Sequence, residues 1–232
     1  MKRIIKKILN KVLSVLGGNK TKMDTKSIFE RIYENKVWGE SNGSRFYSGS
    51  GSDEAYSSSY IQIVKEFINR NRIESVVDLG CGDFRIGSKI CETGVSYIGI
   101  DIVSSLIAHH NEQYSSDKVK FIGLDIVKEK LPNGELCLIR QVLQHLSNGQ
   151  IKKVVKKIKK YKFAIVTEHL PIDENSVPNL DKEPNGDIRL GMNSGVYLDR
   201  APYNLRLEKL LEVFPNEHPN SRIVTFLVRA TI

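Results

Sequence analysis

The sequence between residues 60 and 169 alternates short apolar segments with helical ones, and this alternation constrains the fold more than any other feature. A helical segment, YIQIVKEFINR, precedes the apolar segment SVVDLG, and four further apolar segments follow, namely VSYIGID, VKFIGLD, ELCLIRQ and YKFAIVTEH. Strands that alternate with helices form a parallel sheet whose faces are both covered. The carboxyl ends of such strands meet at one edge, where ligands bind. We therefore expect the functional residues at the ends of these strands.

The segments on either side of this core complete the predicted organisation. Near the C-terminus, KLLEVFPNEHPNSRIVTFLVRATI predicts two strands joined by a polar turn, which gives an antiparallel pair at one edge of the sheet. We divide the chain into residues 1–25, a basic amphipathic helix with a linker, and a single domain at residues 26–232. Within that domain, residues 171–205 form a polar insert that could lie over the site as a lid.

Lysine side chains separate the apolar residues among the first 16 positions, so a helix there would carry one basic face and one apolar face. Such a helix either lies on an anionic membrane surface or packs against protein, and the sequence leaves both open. We expect a cytoplasmic protein, with contact to the inner face of the membrane through residues 1–16 as one alternative.

The net charge of +8 comes from two segments of the chain. Residues 1–16 hold five lysine or arginine residues and residues 151–162 hold seven lysines, in both cases without an acidic residue. Without these twelve charges the rest of the chain carries −4. Because the basic charge is not spread around the predicted site, we expect a small-molecule partner and no nucleic acid. The three cysteines have no metal-like spacing, which is typical of reduced thiols in a cytosolic protein.

The loop after the first predicted strand, SVVDLGCGDFRIG, places Gly80 and Gly82 where the backbone can approach a ligand closely. A dinucleotide fingerprint would need a third glycine at the position of Arg85. Asp101 ends the second strand 21 residues after Gly80, a distance that suits an acid bound to ribose hydroxyls. Asp125 ends the third strand and could accept a hydrogen bond from an exocyclic amine. Two acids on successive strands could therefore hold one adenosine.

The segments VVDLGCGDF, YIGID and FIGLDI, in this order and spacing, resemble the S-adenosylmethionine-dependent methyltransferases of the Rossmann-like class. The resemblance implies an α/β fold with a mainly parallel seven-stranded sheet in the order 3-2-1-4-5-7-6, helices on both faces and an antiparallel edge strand. It also implies S-adenosylmethionine as cofactor and S-adenosylhomocysteine as product. Members of the class often have one further glycine in the first loop, where this sequence has Phe84, which could narrow that end of the pocket.

Carried over residue by residue, the resemblance assigns Gly80 and Gly82 to the amino-acid portion of the cofactor, and Asp78 to its amino group. Asp101 would bind the ribose. The segment LCLIRQVLQHLS also resembles the C-R-x-V-L-x-H-L segment of many small-molecule methyltransferases, and its first polar residues would border the methionine portion. The complete predicted cofactor-binding set is Asp78, Gly80, Cys81, Gly82, Asp101, Ile102, Asp125, Ile126, Arg140 and Gln141.

Three residues are candidates for catalysis. His145 would stand near the site of methyl transfer, although a structural role at a helix start has equal weight. Glu168 and His169, at the end of the fifth strand, would form the opposite wall. A hydroxyl acceptor needs a base, for which we consider the two histidines, with Glu168 to orient or assist. A divalent metal could replace the base, but no spacing identifies a metal site. A further histidine pair, His109 and His110, is expected on the surface.

The flanking segments point to the acceptor. VWGESNGSRFYSGSGSDEAY contains an element that resembles the SGxGS element of a bacterial methyltransferase subgroup associated with surface-polysaccharide synthesis, and DIRLGMNSGVYLDRAPYNL is more loosely similar to that subgroup's C-terminal part. The resemblance implies O-methylation of a sugar hydroxyl, on a nucleotide-activated sugar or heptose for a capsular polysaccharide. The predicted substrate-binding residues are Arg189, Tyr197, Asp199 and Arg200. The alternatives are another small hydroxyl or amine acceptor, or a nucleotide-binding module without catalysis.

Overall fold

The computed structural model describes residues 23–41 and 43–229. The predicted basic helix and linker at residues 1–25 thus lies outside the described residues except for its last three, and Thr25 already belongs to the first described helix. The prediction for residues 1–16 therefore stays a prediction.

Helices and strands alternate through the described chain. The helices are α1 (Thr25–Glu34), α2 (Glu54–Asn71), α3 (Arg85–Cys91), α4 (Ser104–Gln113) and α5 (Asn148–Ile158). The strands are β1 (Ser75–Leu79), β2 (Ser96–Asp101), β3 (Val119–Gly123), β4 (Leu136–Arg140), β5 (Phe163–Pro171), β6 (Leu207–Val213) and β7 (Ser221–Arg229). Short 3-10 helices occupy Ser50–Ser52, Leu143–His145 and Arg189–Met192.

The strands form one seven-stranded sheet in the order β3-β2-β1-β4-β5-β7-β6. The pairs among β1 to β5 are parallel, and β7 runs antiparallel to both β5 and β6. This order and the antiparallel edge confirm the predicted fold class. The carboxyl ends of β1 to β5 therefore lie along one edge of the sheet, as the alternating pattern predicts.

Each face of the sheet packs against its own cluster of apolar side chains. Val77 and Leu79 of β1 belong to the cluster that includes α5, whereas Val76 belongs to the cluster that includes α2. Neighbouring residues point to opposite faces because the side-chain period of a strand is two. Helices consequently cover both faces. None of the helices in the described ranges is long and apolar enough to span a membrane.

The lysine-rich segment forms α5, whose apolar side chains pack on the sheet. Ser147 caps the helix in a capping box with Gln150, which satisfies backbone groups at its start. The residues that face the sheet are all buried, namely Ile151, Val154, Val155 and Ile158, while most lysines between them stay exposed. The charge of this segment thus belongs to the solvent face of a covering helix.

A segment that we call the strap, residues 25–41 and 43–53, crosses the carboxyl edge of the sheet. At one end, the side-chain amide of Gln150 in α5 donates a hydrogen bond of 2.8 Å to Thr25 Oγ1. In its middle, the Ser48 amide donates to Asp83 Oδ2 at 2.9 Å and the Asp83 amide donates to Ser48 Oγ at 2.7 Å. At its other end the strap leads into α2 on the opposite face. The strap therefore covers the loop that follows β1.

Candidate active site

One cavity of about 300 Å³ lies between the strap and the carboxyl edge of the sheet. All ten residues of the predicted cofactor-binding set line this cavity: Asp78, Gly80, Cys81, Gly82, Asp101, Ile102, Asp125, Ile126, Arg140 and Gln141. They come from the ends of four neighbouring strands, so the parallel topology alone brings them together. Their roles in binding stay predictions.

The two glycines after β1 adopt backbone angles and contacts that other residues would not tolerate. Gly80 has φ of 81° and Gly82 has φ of 53°, both in the left-handed region. A Cβ atom on Gly80 would lie 2.4 Å from Val142, and one on Gly82 would lie 2.4 Å from the Ser48 hydroxyl. The close approach that these glycines permit is therefore made to the loop after β4 and to the strap, which close around the cavity.

Asp78 is a buried carboxylate in the floor of the cavity. The Tyr97 hydroxyl of β2 donates to Asp78 Oδ2 at 2.6 Å. Burial raises the pKa of Asp78 to about 6, although the Tyr97 hydrogen bond and the charge of Arg140 act in the opposite direction. A cationic ligand group at this position would favour the ionised carboxylate, so the site suits an ammonium group.

Backbone amides hold Asp101, the last residue of β2, and Asp125, two residues after β3. Asp101 accepts from the Val103 amide at 3.1 Å and from the Gly82 amide at 3.2 Å, and burial raises its pKa. Asp125 accepts from the Val127 amide at 2.8 Å and lies 3.3 Å from the Lys128 ammonium. These contacts fix both carboxylates while leaving lone pairs on each for hydroxyl or amine donors of a ligand.

Arg140 and Gln141 at the end of β4 present unpaired donors in the cavity wall. The Arg140 guanidinium donates to the Tyr56 carbonyl at 3.1 Å and lies 5.1 Å from the centroid of the Tyr60 ring, but no carboxylate among the described residues pairs with it. Burial lowers its pKa. Arg140 Nε and Gln141 Nε2 are both buried without a hydrogen-bond partner. Gln141 also has φ of 56°, a strained value for a residue other than glycine. These orphaned donors suit an anionic or carbonyl group of a ligand.

The strap supplies an aromatic wall that the sequence reasoning missed. Phe29, Tyr33 and Trp38 line the cavity, and the Trp38 ring lies 5.2 Å from the His145 ring. The Trp38 indole donates to the Gly186 carbonyl at 3.0 Å, so it also ties the strap to the insert. A single tryptophan in a polar segment is the signal that could have identified this wall.

The two candidate histidines line the cavity, whereas Glu168 does not. Burial lowers the pKa of His145 and of His169 to about 4, so both are neutral at physiological pH. Glu168 instead accepts from the amides of Leu143 and Gln144, at 3.3 Å and 3.1 Å. It points to the other face of β5 from His169 because the two are consecutive in a strand.

Glu168 therefore holds the turn that carries His145 rather than facing the cavity, which corrects its expected place in the wall. Burial raises the pKa of Glu168 to about 8. The two backbone amide donors offset part of that desolvation, as does the charge of Arg189. Its role is to position the turn after β4.

The structure does not bring the four predicted substrate-binding residues to the cavity. Arg189 is fully buried and donates to the carbonyls of Leu146 and Leu180, so its charge anchors the insert. Tyr197 of the insert is buried against Leu170 and Val224, and Asp199 and Arg200 are exposed. The insert reaches the cavity instead through Gly186 and Ile188. The buried charge of Arg189 thus holds the insert to the turn after β4 and does not face the cavity.

Two further expectations need correction. Phe84 does not narrow the pocket, because its ring is buried in the core. Its ring centroid lies 4.7 Å from that of Phe121 and 5.5 Å from that of Tyr97. His110 is not a surface residue, because it is buried and its Nε2 lies 2.7 Å from the Gly82 carbonyl. Both side chains support the loop after β1 from behind, while His109 stays half-buried.

No group of three histidine, cysteine or acidic side chains in the described part of the chain is placed to hold a metal ion. The three cysteines are all free thiols in the structure. The cavity presents carboxylates, amide and guanidinium donors, the Cys81 thiol and the neutral imidazoles of His145 and His169.

Several solved structures share this architecture at low sequence identity. TehB from Haemophilus influenzae superposes with a TM-score of 0.53 at 16% identity, covering 78% of this chain and 67% of that protein. The fold is that of the Rossmann-like methyltransferases. The N-methyltransferase NodS from Bradyrhizobium japonicum, in complex with S-adenosylhomocysteine, gives 0.55 at 10% identity, covering 76% and 88% of the two chains. The 1,6-didemethyltoxoflavin-N1-methyltransferase of Burkholderia thailandensis gives 0.55 at 15% identity, covering 89% and 87%. No family model and no curated protein matches the sequence.

Proposed function

We propose that the protein transfers a methyl group from S-adenosylmethionine to a hydroxyl group of a sugar. The observation that carries the proposal is that all ten residues expected at the cofactor line one cavity at the carboxyl edge of a methyltransferase-like sheet. Asp101 would bind the ribose hydroxyls, and Asp125 with Ile126 would contact the adenine. The bound cofactor would supply an electrophilic methyl group on a sulfonium centre.

The charges in the cavity fit the amino-acid end of that cofactor. Asp78 would face the ammonium group, which would lower the cost of keeping this buried carboxylate ionised. The unpaired donors of Arg140 and Gln141 would donate hydrogen bonds to the carboxylate group of the cofactor. The orphaned donors Arg140 Nε and Gln141 Nε2 would thereby gain a partner when the ligand binds, which supports this orientation over the reverse.

His169 is the residue that we propose as the base. A sugar hydroxyl is a weak nucleophile, and a base that accepts its proton during transfer lowers the barrier. His169 is neutral, lines the cavity and is fixed from behind by Ser221 at 2.6 Å. His145 packs between Phe29 and Trp38, with ring centroids 6.3 Å and 5.2 Å away, and we assign it to the wall that positions the acceptor. In-line placement of the acceptor oxygen contributes much of the rate.

The acceptor that we propose is a nucleotide-activated sugar or heptose for a surface polysaccharide. The support is the sequence resemblance of the strap, together with a wall that combines the Trp38 ring with the side chains of Gln144 and His145. An aromatic face beside amide and imidazole groups suits a ring with hydroxyls. From the insert, we expect the acceptor to contact Gly186 and Ile188 rather than the four substrate-binding residues that the sequence predicts.

A screen of nucleotide sugars with S-adenosylmethionine, read by mass for one added methyl group, tests the proposal. We expect one sugar class to gain a single methyl group, stable to conditions that remove methyl esters. His169→Gln should lower turnover roughly 100-fold, as loss of a general base does. His145→Gln should lower it less. Full turnover by both variants would refute the assignment of a histidine base.

A second candidate is methylation of an amine or of another small hydroxyl compound. It is favoured by the likeness of the fold to two N-methyltransferases, NodS and the toxoflavin enzyme. An amine acceptor with a low pKa needs no base, so His169→Gln would keep its activity. A third candidate is a nucleotide-binding module without catalysis, which would bind S-adenosylmethionine but methylate neither the nucleotide sugars of the screen nor small amines added to it.

We further propose a cytoplasmic location, with residues 1–16 as a contact to the inner face of the membrane. The support is the basic amphipathic pattern of the sequence. Deletion of residues 1–18 should abolish sedimentation with vesicles that contain anionic lipid while leaving cofactor binding unchanged. Equal sedimentation of both proteins would remove the membrane contact from the account.

A further inference from the structure

The strongest unexplained arrangement lies behind His169, where β5 meets the start of β7. Ser221 is only 2% exposed, and His169 Nε2 lies 2.6 Å from its hydroxyl oxygen. The same hydroxyl lies 2.7 Å from the His218 carbonyl. The three groups form a chain that begins at a backbone carbonyl and ends at an imidazole in the cavity wall.

The direction of this chain follows from counting protons. A carbonyl oxygen can only accept, so the single proton of the Ser221 hydroxyl is donated to the His218 carbonyl. The hydroxyl must then accept from His169, and Nε2 carries the proton of the neutral ring. Nδ1 is consequently the nitrogen with a free lone pair. No hydrogen-bond partner among the described residues meets that nitrogen.

The surroundings keep the ring in this neutral state. Besides burial, the charged and titratable neighbours of His169 are Arg140 at the end of β4 and His218 in the turn before β7, whose ring lies 5.3 Å away. Burial, His218 and Arg140 all disfavour a positive charge on the His169 ring, and they lower its pKa to about 4. The His169 side chain, which lines the cavity, therefore keeps one unprotonated nitrogen at neutral pH.

We propose that Ser221 is a positioning residue that fixes the tautomer of His169, so that Nδ1 accepts the proton of the acceptor hydroxyl. This inference rests on the proposed methyl transfer. As the hydroxyl proton moves to Nδ1, a lone pair of the acceptor oxygen forms the bond to the methyl carbon. The bond between that carbon and the sulfur of the sulfonium donor breaks, and its electron pair stays on sulfur. The Ser221 oxygen continues to accept from Nε2 and stabilises the resulting imidazolium.

Nitrogen NMR of the full-length protein tests the tautomer without any substrate. At pH 7, the two nitrogens of His169 should give the separate shifts of an unprotonated Nδ1 and a protonated Nε2. The His169→Gln variant assigns these signals among the five histidines. Ser221→Ala should move both shifts toward an average of the two tautomers. A protonated Nδ1 in the wild type, or unchanged shifts in Ser221→Ala, would overturn the inference.

Thr225→Ala is the matched control. Thr225 lies in the same strand, and its buried hydroxyl pairs with Thr167 Oγ1 at 2.9 Å rather than with a histidine. It should lose a comparable hydrogen bond while leaving the His169 shifts in place. Ser221→Thr, which keeps the hydroxyl, should retain the wild-type pattern. If Thr225→Ala disturbs the His169 shifts as Ser221→Ala does, the effect is general to the strand and the inference fails.

Calorimetry with S-adenosylmethionine on the same proteins separates this inference from the proposed function. Ser221→Ala should bind the cofactor within twofold of wild type. Binding without the expected tautomer would refute only the role of Ser221, whereas the expected tautomer without binding would refute the methyl transfer on which it depends. With an acceptor from the screen, Ser221→Ala should lower kcat about tenfold at unchanged KM, a part of what a positioned base supplies. Ser221→Thr should restore kcat.

Discussion

The two halves of the cavity are built in different ways. The strand-end half consists of residues in the last positions of β1 to β4 or in the loops directly after them, each within a few positions of a strand terminus. The composite half consists of the strap aromatics, His145, His169, the turn before β7 and part of the insert. One of its contacts, between Trp38 and Gly186, joins residues 148 positions apart. Topology alone positions the first half, whereas side-chain packing between distant segments positions the second.

The largest effect is expected in the strand-end half. Asp101→Ala should weaken S-adenosylmethionine binding roughly 100-fold or more, because two hydrogen bonds from ribose hydroxyls to a carboxylate would be lost. Isothermal calorimetry measures the change. Asp199→Ala, an exposed acid of the insert, is the control and should stay within twofold of wild type. If the two substitutions had equal effects, the cofactor would not lie in the strand-end half.

The anchor of the insert should give the next largest effect, on stability. Arg189→Met removes two hydrogen bonds from a buried guanidinium to backbone carbonyls and should lower the free energy of unfolding by about 3 kcal/mol. Arg200→Met, whose guanidinium is exposed and lies 4.9 Å from the Tyr197 ring centroid, should cost about 0.5–1 kcal/mol. Urea denaturation compares the variants. A larger loss in Arg200→Met would reverse the assignment of which arginine holds the insert.

The neutral histidine in the composite half predicts a pH dependence. The pKa of His169 is about 4 in the folded protein and about 6.5 when unfolded. The unfolded chain binds more protons between these values, so the contribution of His169 to stability is fully present above pH 6.5 and is lost as the pH falls through 4. Its size is at most about 3 kcal/mol.

Comparison of His169→Gln with wild type isolates this contribution. The raised pKa values of Asp78 and Glu168 act in the opposite sense and cancel in the difference between the two proteins. Urea denaturation at pH 7 and pH 4.5 should show the variant losing less stability than wild type on acidification. Parallel losses would mean that His169 is not held neutral.

The smallest effect concerns the tie between strap and insert. Trp38→Phe keeps an aromatic ring but leaves the Gly186 carbonyl without its donor, at a cost of about 1 kcal/mol. The KM for the acceptor should rise a few-fold, while the affinity for S-adenosylmethionine should change less than twofold. Steady-state kinetics with the sugar found by the screen measures the first and calorimetry the second. An equal change in both would merge the two halves into one site.

The contrast between the halves also explains what the sequence could predict. Asp78, Asp101 and Asp125 were identifiable because strand ends follow from hydrophobic periodicity and converge in any parallel sheet. An arginine in a polar insert is typical of a phosphate-binding residue, but the Arg189 guanidinium donates to two backbone carbonyls instead. The sequence carries no signal for such long-range pairing. Adjacent residues in a strand face opposite sides, so the sequence could have excluded a wall made by both Glu168 and His169, although not which of the two faces the cavity.

The roles of Phe84 and His110 depend on packing behind the loop after β1, which local patterns do not encode. Phe84 adopts φ of 64° and turns its ring into the core, so it supports the loop instead of shaping the pocket. Such corrections concentrate where side chains of distant elements meet. The order of strands and helices along the chain therefore predicted the fold and the strand-end half of the cavity. It predicted much less of the composite half.

Calorimetric titration of the wild-type protein with S-adenosylmethionine and with S-adenosylhomocysteine tests the central claim most directly. We expect each ligand to saturate one site per chain, and 5′-methylthioadenosine, which lacks the amino-acid end that we propose Asp78 and Arg140 bind, to bind at least tenfold more weakly. Absence of saturable binding by both cofactor forms, or equal binding of 5′-methylthioadenosine, would contradict it.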